Sequence, residues 1–185
     1  MNRGRRVELS PAFVLHHRPW RDTSRMLEVF SRDHGRLTLF ARGARGPKSR
    51  LASVLRPFEP LLISWSGRGD AAQLTQAELD VEARGAGAAL PAAALMPAWY
   101  LNELLLKLTL RNDPQPAVYA LYAATLAGLR DAAALEATLR RFEIRLLELL
   151  GYGVDFASDA RAGEPLRADA YYHFHPGLGF VRING

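Results

Sequence analysis

Arginine is the side chain whose placement in this sequence carries the most chemistry. Residues 1–56 hold thirteen basic and four acidic residues, a net +9; residues 57–185 hold eleven basic and fifteen acidic, a net −4. Arg42, Arg45, Lys48 and Arg50 crowd one Gly/Pro-containing loop, and Arg18, Arg21 and Arg25 crowd an earlier one around Trp20. A guanidinium pairs with phosphate oxygens in a fixed fork, and an aromatic ring stacks on a base for ~1–3 kcal/mol. Arginine-rich loops beside aromatics therefore predict a polyanion partner, specifically single-stranded nucleic acid. Arg36 shares a strand face with Phe40 and is expected to support the loop. The competing view makes these arginines a solvated surface and puts Trp20 and Phe40 in the core.

Other chemistry is thin. The chain has no cysteine, which excludes disulfides, thiolate zinc sites, iron–sulfur clusters and a cysteine nucleophile. No Gly-x-Ser-x-Gly elbow occurs. Gly43 to Ser49 superficially matches a phosphate-binding loop, but the glycine spacing is wrong, and Pro47 removes one backbone N–H from the row such a loop needs. Arg68-Gly69-Asp70 matches an adhesion tripeptide by chance. His173 and His175 have metal-ligand spacing on an extended segment, with Asp169 as the one nearby further ligand, so they read as surface histidines. Glu143 and Glu148 read as ion partners of neighbouring arginines. The expectation is a protein without catalytic site, metal or cofactor.

These residues need elements to position them. Ala12 to His17 is a short apolar run. Met26 to Ser31 alternates Met26, Glu28 and Phe30 against Leu27, Val29 and Ser31; Arg36 to Ala41 alternates Leu37, Leu39 and Ala41 against Arg36, Thr38 and Phe40. His34-Gly35 between them predicts a hairpin. Phe58 to Ser66, with Pro60 demoting its start, and Gln73 to Val81 complete five strands, the mark of a small antiparallel barrel or sandwich. Gly85, Gly87 and the alanines to Pro91 read as a linker, dividing residues 1–83 from 84–185. The period then changes. Pro97 to Arg111 predicts a helix with Pro97 in its first turn. A second helix follows Asp113 as cap with Pro114 first, and buries Val118, Leu121, Tyr122, Thr125, Leu126 and Leu129. A third runs from about Ala133 to Leu150, with Leu135, Leu139, Phe142, Leu146 and Leu149 inward and a glycine cap at Gly151-Tyr152-Gly153. The remainder reads as loop with one aromatic run, Tyr171 to Phe174. The fold class is α+β.

Apolar residues are 49% and charged residues 23% of 185, ordinary for a globular protein. The longest near-apolar run, Ala88 to Leu101, is 14 residues and holds Pro91 and Pro97, too short and broken to span a bilayer. The basic start lacks an apolar segment behind it, so no secretory signal and a cytoplasmic location are expected.

Several blocks together resemble one family. Phe13-Val14-Leu15-His16, Arg18-Pro19-Trp20, Thr23-Ser24, Gly35-Arg36 and Ala41-Arg42-Gly43-Ala44-Arg45 are similar to the amino-terminal domain of the RecO family of bacterial recombination mediators and DNA repair proteins. Pro57-Phe58, Pro60-Leu61-Leu62, Tyr100-Leu101-Asn102-Glu103-Leu104-Leu105, Leu139-Arg140-Arg141-Phe142-Glu143 and Leu149-Leu150-Gly151-Tyr152-Gly153 continue the match in order. The resemblance implies an oligonucleotide/oligosaccharide-binding (OB) barrel over 1–83 and a helical domain over 84–185. It implies a nucleoid-associated protein that binds single- and double-stranded DNA and anneals complementary strands. Such a protein works with RecR and helps load RecA onto DNA coated by single-stranded DNA-binding protein. It also places Leu139-Arg140-Arg141-Phe142-Glu143 near a groove for that protein's acidic carboxyl-terminal tail, with Arg140 as the expected clamp; Arg141 and Arg145, i and i+4 on an adjacent stripe, are expected to extend the positive rim, and the competing view is a surface pair of Arg140 with Glu136. Some family members carry a four-cysteine zinc site; Asp155 to Gly163 here has no cysteine, so no zinc is expected. Family chains continue with more helix after the Tyr171 to Phe180 segment, so the helices here are expected to be partly uncovered. A protein-interaction adaptor and an RNA-binding OB protein stay open as alternatives, separable by salt dependence and by DNA/RNA competition.

Overall fold

The computed structural model describes residues 6–46, 49–67, 72–84 and 89–183. Lys48, Arg68-Gly69-Asp70 and most of the expected linker (85–88) lie outside the described residues.

Five strands close into a barrel in the order β1-β2-β3-β5-β4. They are β1 (Arg6–Trp20), β2 (Ser24–Ser31), β3 (Gly35–Ala41), β4 (Leu61–Ser66) and β5 (Ala72–Leu79). The β1–β2, β2–β3, β1–β4 and β4–β5 seams are antiparallel. The β3–β5 seam that closes the otherwise antiparallel barrel is parallel and short, pairing Leu39 with Ala72 and Phe40 with Gln73. β1 is far longer than its apolar run because it pairs with β4 through its first half and β2 through its second, with register shifts along each ladder. Strand alternation puts Val14, Leu27, Val29, Leu37, Leu39, Leu61, Ile63 and Leu74 in the barrel core. A short helix, α1 (Arg50–Val54), joins β3 to β4 and was not foreseen; Leu51, Val54 and Leu55 pack it against the core.

After α2 (Val81–Arg84), helices α3 (Ala92–Leu108) and α4 (Pro116–Gly128) follow. α3 begins five residues before the expected Pro97, with Pro91 as its N-cap, so Pro97 lies inside the helix. α4 starts at Pro116 with Gln115 as N-cap, displacing the expected Asp113-Pro114 start. α3 buries Ala94, Ala98, Leu101, Asn102 and Leu105, and α4 buries Val118, Tyr119, Tyr122, Thr125 and Leu126. Asn102 joins both helices to the barrel: its Nδ2 donates to the Leu15 carbonyl at 2.7 Å, and its Oδ1 accepts from the Tyr122 hydroxyl at 2.5 Å. The hairpin tip between β2 and β3 seats equally closely. Gly35 has φ +68°, and a Cβ there would lie 2.1 Å from the Asp113 carbonyl oxygen, so only glycine fits.

By its contacts the chain forms two compact units, Met1–Leu139 and Arg140–Gly185. The boundary expected at 83/84 therefore falls inside the first unit, because α3 and α4 pack on the barrel. A 3₁₀ turn (Ala132–Ala134), capped by the Asp131 side chain, leads into α5 (Leu135–Leu149). Within the second unit α5 ends at Gly151, whose φ of +84° is the left-handed cap expected there. β6 (Tyr172–His175) and β7 (Gly179–Arg182) form an antiparallel hairpin in the stretch read as loop. The Asp159 carboxylate accepts backbone N–H bonds from Arg161, Ala162 and Arg182 at 2.7–2.8 Å, fastening the 159–163 turn to β7. These bonds hold Asp159 below the usual carboxylate range.

Candidate nucleic-acid interface

The cross-strand register sorts the outer face of β1, β2 and β3 into rows: Phe13–Phe30–Arg36, His16–Glu28–Thr38, and Arg18–Met26–Phe40. The helical layer takes the first, and the Thr109–Arg111 segment that follows α3 takes the Glu28–Thr38 part of the second, leaving His16 exposed. Phe13 meets Tyr122 edge-on with ring centres 5.0 Å apart, and Phe30 lies 6.0 Å from Tyr119. Burial pushes both tyrosine hydroxyls up, out of any physiological titration. Arg36 donates to the Thr109 carbonyl at 3.0 and 3.3 Å and lies 3.5 Å from Glu28. Glu28 accepts from Thr38 Oγ1 at 2.9 Å and from Arg111 Nη2 at 2.9 and 3.0 Å. Arg36 is thus tied into the joint between barrel and helices. Its expected support of the arginine loop is replaced by a structural task, because Thr109 to Arg111 lie directly over its part of the face.

The third row is left uncovered, and here the loops converge. Trp20, at the end of β1 opposite Ser24, sits 5.2 Å from Phe40, with the rings inclined by 51°. Trp20 is exposed and Phe40 half-buried, both outside the barrel core. Together with Arg21, Ser24, Arg42 and Gln73 they line a recess of about 230 Å³. Gln73 closes the wall at the parallel seam, its Nε2 donating to the carbonyls of Phe40 at 2.5 Å and Leu74 at 3.2 Å. Arg21 has φ +51°, an uncommon conformation for a side-chain-bearing residue, at the β1–β2 turn. Arg45 latches that turn to the β3–α1 loop: its N–H donates to the Thr23 carbonyl at 2.9 Å and its Nη1 to the Arg21 carbonyl at 3.2 Å. Arg21 and Arg42 are exposed and have no ion-pair partner among the described residues. Arg18 begins the row, exposed, with Nη2 3.4 Å from Met26 Sδ. Arg50 opens α1, exposed. His17, on the inner side near this end of β1, is held below its ordinary value by burial and by Arg25. The expected group is therefore brought together as Trp20, Arg21, Arg42 and Arg45, with Arg18 in the same row; Arg50 lies on α1, outside the recess lining. Lys48 lies outside the described residues.

Ser24 and Gln73 escaped the sequence reading. Gln73 faces Phe40 only through the β3–β5 seam, a pairing that no local pattern announces. Asn102 had a signal: a lone amide inside a leucine-rich helical stripe.

In the second unit, Arg140 pairs with Glu143 at 2.5 Å, whereas the competing reading placed its partner at Glu136; Arg145 pairs with Glu148 at 2.6 Å. Arg141 is exposed on the same helix. Among the described residues no group of three or more potential metal ligands gathers, and no helix is long and apolar enough to cross a membrane.

A closed barrel of order 1-2-3-5-4 with a helix between its third and fourth strands is an OB-type barrel, here carrying a helical layer on part of its face. The family model of the recombination protein O N-terminal domain matches residues 6–80, and that of the recombination protein O C-terminal domain matches 92–183. The chain is 49% identical over 180 residues to DNA repair protein RecO of Alkalilimnicola ehrlichii, covering 97% of this chain and 69% of that one. It is 44% identical over 187 residues to the RecO of Aromatoleum aromaticum (100% and 75% covered) and 45% over 177 to that of Coxiella burnetii (96% and 74%). The chain belongs to the RecO family of DNA repair proteins.

Proposed function

We propose that this chain is a non-enzymatic recombination mediator. It binds single- and double-stranded DNA, anneals complementary strands, and works with RecR to load RecA onto DNA coated by single-stranded DNA-binding protein. The observation that carries DNA binding is the uncovered third row of the β1–β3 outer face, where an aromatic recess is lined by Arg21 and Arg42. Arg42, Arg45, Arg50, Arg18 and Arg21, with Lys48 from the same loop, supply phosphate contacts; Arg45 also positions Arg21. Such contacts release counterions, so affinity falls with salt by about 0.7–0.9 log units per log unit of salt for each contact. Measured on single strands and duplexes, Arg42→Ala with Arg45→Ala should weaken binding and make the salt slope shallower by one to two units. Unchanged affinity and slope would move the DNA site elsewhere. A fluorescence-quenching annealing assay, with and without single-stranded DNA-binding protein, tests the mediator role.

The acidic tail of single-stranded DNA-binding protein goes to Arg140, Arg141 and Arg145. Glu143 and Glu148 already pair with two of these, but exposed i,i+3 pairs contribute only about 0.3–0.5 kcal/mol, so a peptide carboxylate displaces them at little cost. Arg140→Ala and Arg140→Lys should both lose peptide affinity, the lysine because it cannot form a bidentate fork. Full retention in the alanine variant would place the tail elsewhere.

A further inference from the structure

The Trp20–Phe40 recess differs in kind from the arginines around it. Its volume of about 230 Å³ is below the ~300–1,000 Å³ of pockets that enclose whole small molecules. On the barrel side Gln73 is pinned to two carbonyls, and in the next row Glu28 and Thr38 hold the Arg111 side chain. Trp20 and Phe40 are the aromatic rings that line the recess, so it offers a stacking surface for one base and not for a run. The two rings pack on each other, centres 5.2 Å apart at 51°, and line the recess together with Arg21 and Arg42.

We propose that this recess takes a single unpaired base, stacked against Trp20 and Phe40, while Arg21 and Arg42 hold the flanking phosphates. The inference rests on the DNA-binding reading above and deepens it: the arginines bind any phosphate backbone, and the recess selects a free base. In a duplex each base is paired and stacked, and swinging one out costs a few kcal/mol. A single strand offers its bases at far lower cost. The recess thus separates single strands, gaps and frayed ends from intact duplex, and holds one base out of the way while neighbouring bases search for their complement.

The experiment uses the full chain, a mixed-sequence single strand, its duplex, and the same strand with abasic sites in place of its bases, by fluorescence anisotropy at one salt concentration. Trp20→Ala should lower single-strand affinity about 5- to 150-fold, the worth of one base–aromatic stack, and so lower the ratio of single-strand to duplex affinity. Trp20→Phe should retain most of that ratio, showing that the alanine effect is stacking rather than a disturbed β1–β2 turn. The abasic strand should bind wild-type protein as weakly as the intact strand binds Trp20→Ala. Equal losses on single strand and duplex, or an abasic strand that binds wild type as well as the intact strand, would overturn the base pocket and leave DNA binding standing. Wild-type protein that binds none of the three would instead overturn the DNA-binding reading.

Discussion

Asn102 is the residue on which the seating of the helical layer depends most. It is fully buried, and both of its polar groups are used: one on the Leu15 carbonyl of β1, the other on the Tyr122 hydroxyl of α4. Asn102→Leu keeps the volume and removes both partners. The Leu15 carbonyl and the Tyr122 hydroxyl are then buried unsatisfied, and each such group costs about 1–3 kcal/mol. The expected loss is about 2–6 kcal/mol, a large share of the ~5–15 kcal/mol of a typical domain. Tyr122→Phe strands only the Asn102 oxygen and should cost about 1–3 kcal/mol. In Asn102→Leu with Tyr122→Phe the hydroxyl is gone, so the double variant should lose less than the sum of the two singles by at least ~0.5 kcal/mol. Urea unfolding of the three variants and wild type, followed by tryptophan fluorescence and far-UV circular dichroism, measures the cycle. A loss below about 0.5 kcal/mol for Asn102→Leu, or strict additivity, would refute the claim that this amide clamps helices to barrel.

Three further outcomes follow from the same geometry. Gly35→Ala combines a left-handed backbone with a Cβ 2.1 Å from the Asp113 carbonyl, and thermal melting should show destabilisation of at least about 2 kcal/mol. Arg36→Ala should lower stability by about 1–3 kcal/mol while leaving the salt slope of DNA binding unchanged, the reverse of Arg42→Ala; a shallower slope for Arg36→Ala would return it to the DNA site. Because the folded state depresses the pKa of His17, the unfolded chain binds a proton first; stability is full above the unfolded value of 6.5 and falls as pH drops below it. Melting temperatures from pH 7.5 to 5 should fall less steeply in His17→Gln than in wild type.

The inner face of the barrel was legible in the sequence because strand alternation is local. Leu27 and Val29 on β2, and Leu37, Leu39 and Ala41 on β3, declare their side by spacing alone, and all five lie in the core. The glycine cap at Gly151 is local in the same way. The outer face was not legible. Arg36 and Phe40 share one strand and one face, yet Arg36 is spent on the Thr109 carbonyl 73 residues away, while Phe40 stays open beside Trp20. The alternation gives both residues the same prediction; only the seat of the helical layer and of the Thr109–Arg111 segment separates them. The charge surplus of residues 1–56 likewise announced a basic first third but could not say which guanidiniums were already used. Arg36 and Arg111 converge on Glu28, and Arg45 bonds the Arg21 carbonyl, so Arg21 and Arg42 are left to face outward. Periodicity decides which face a side chain takes, because that needs only its neighbours in sequence. Whether that face stays free depends on chain that returns from far away, and only the packed tertiary structure supplies it.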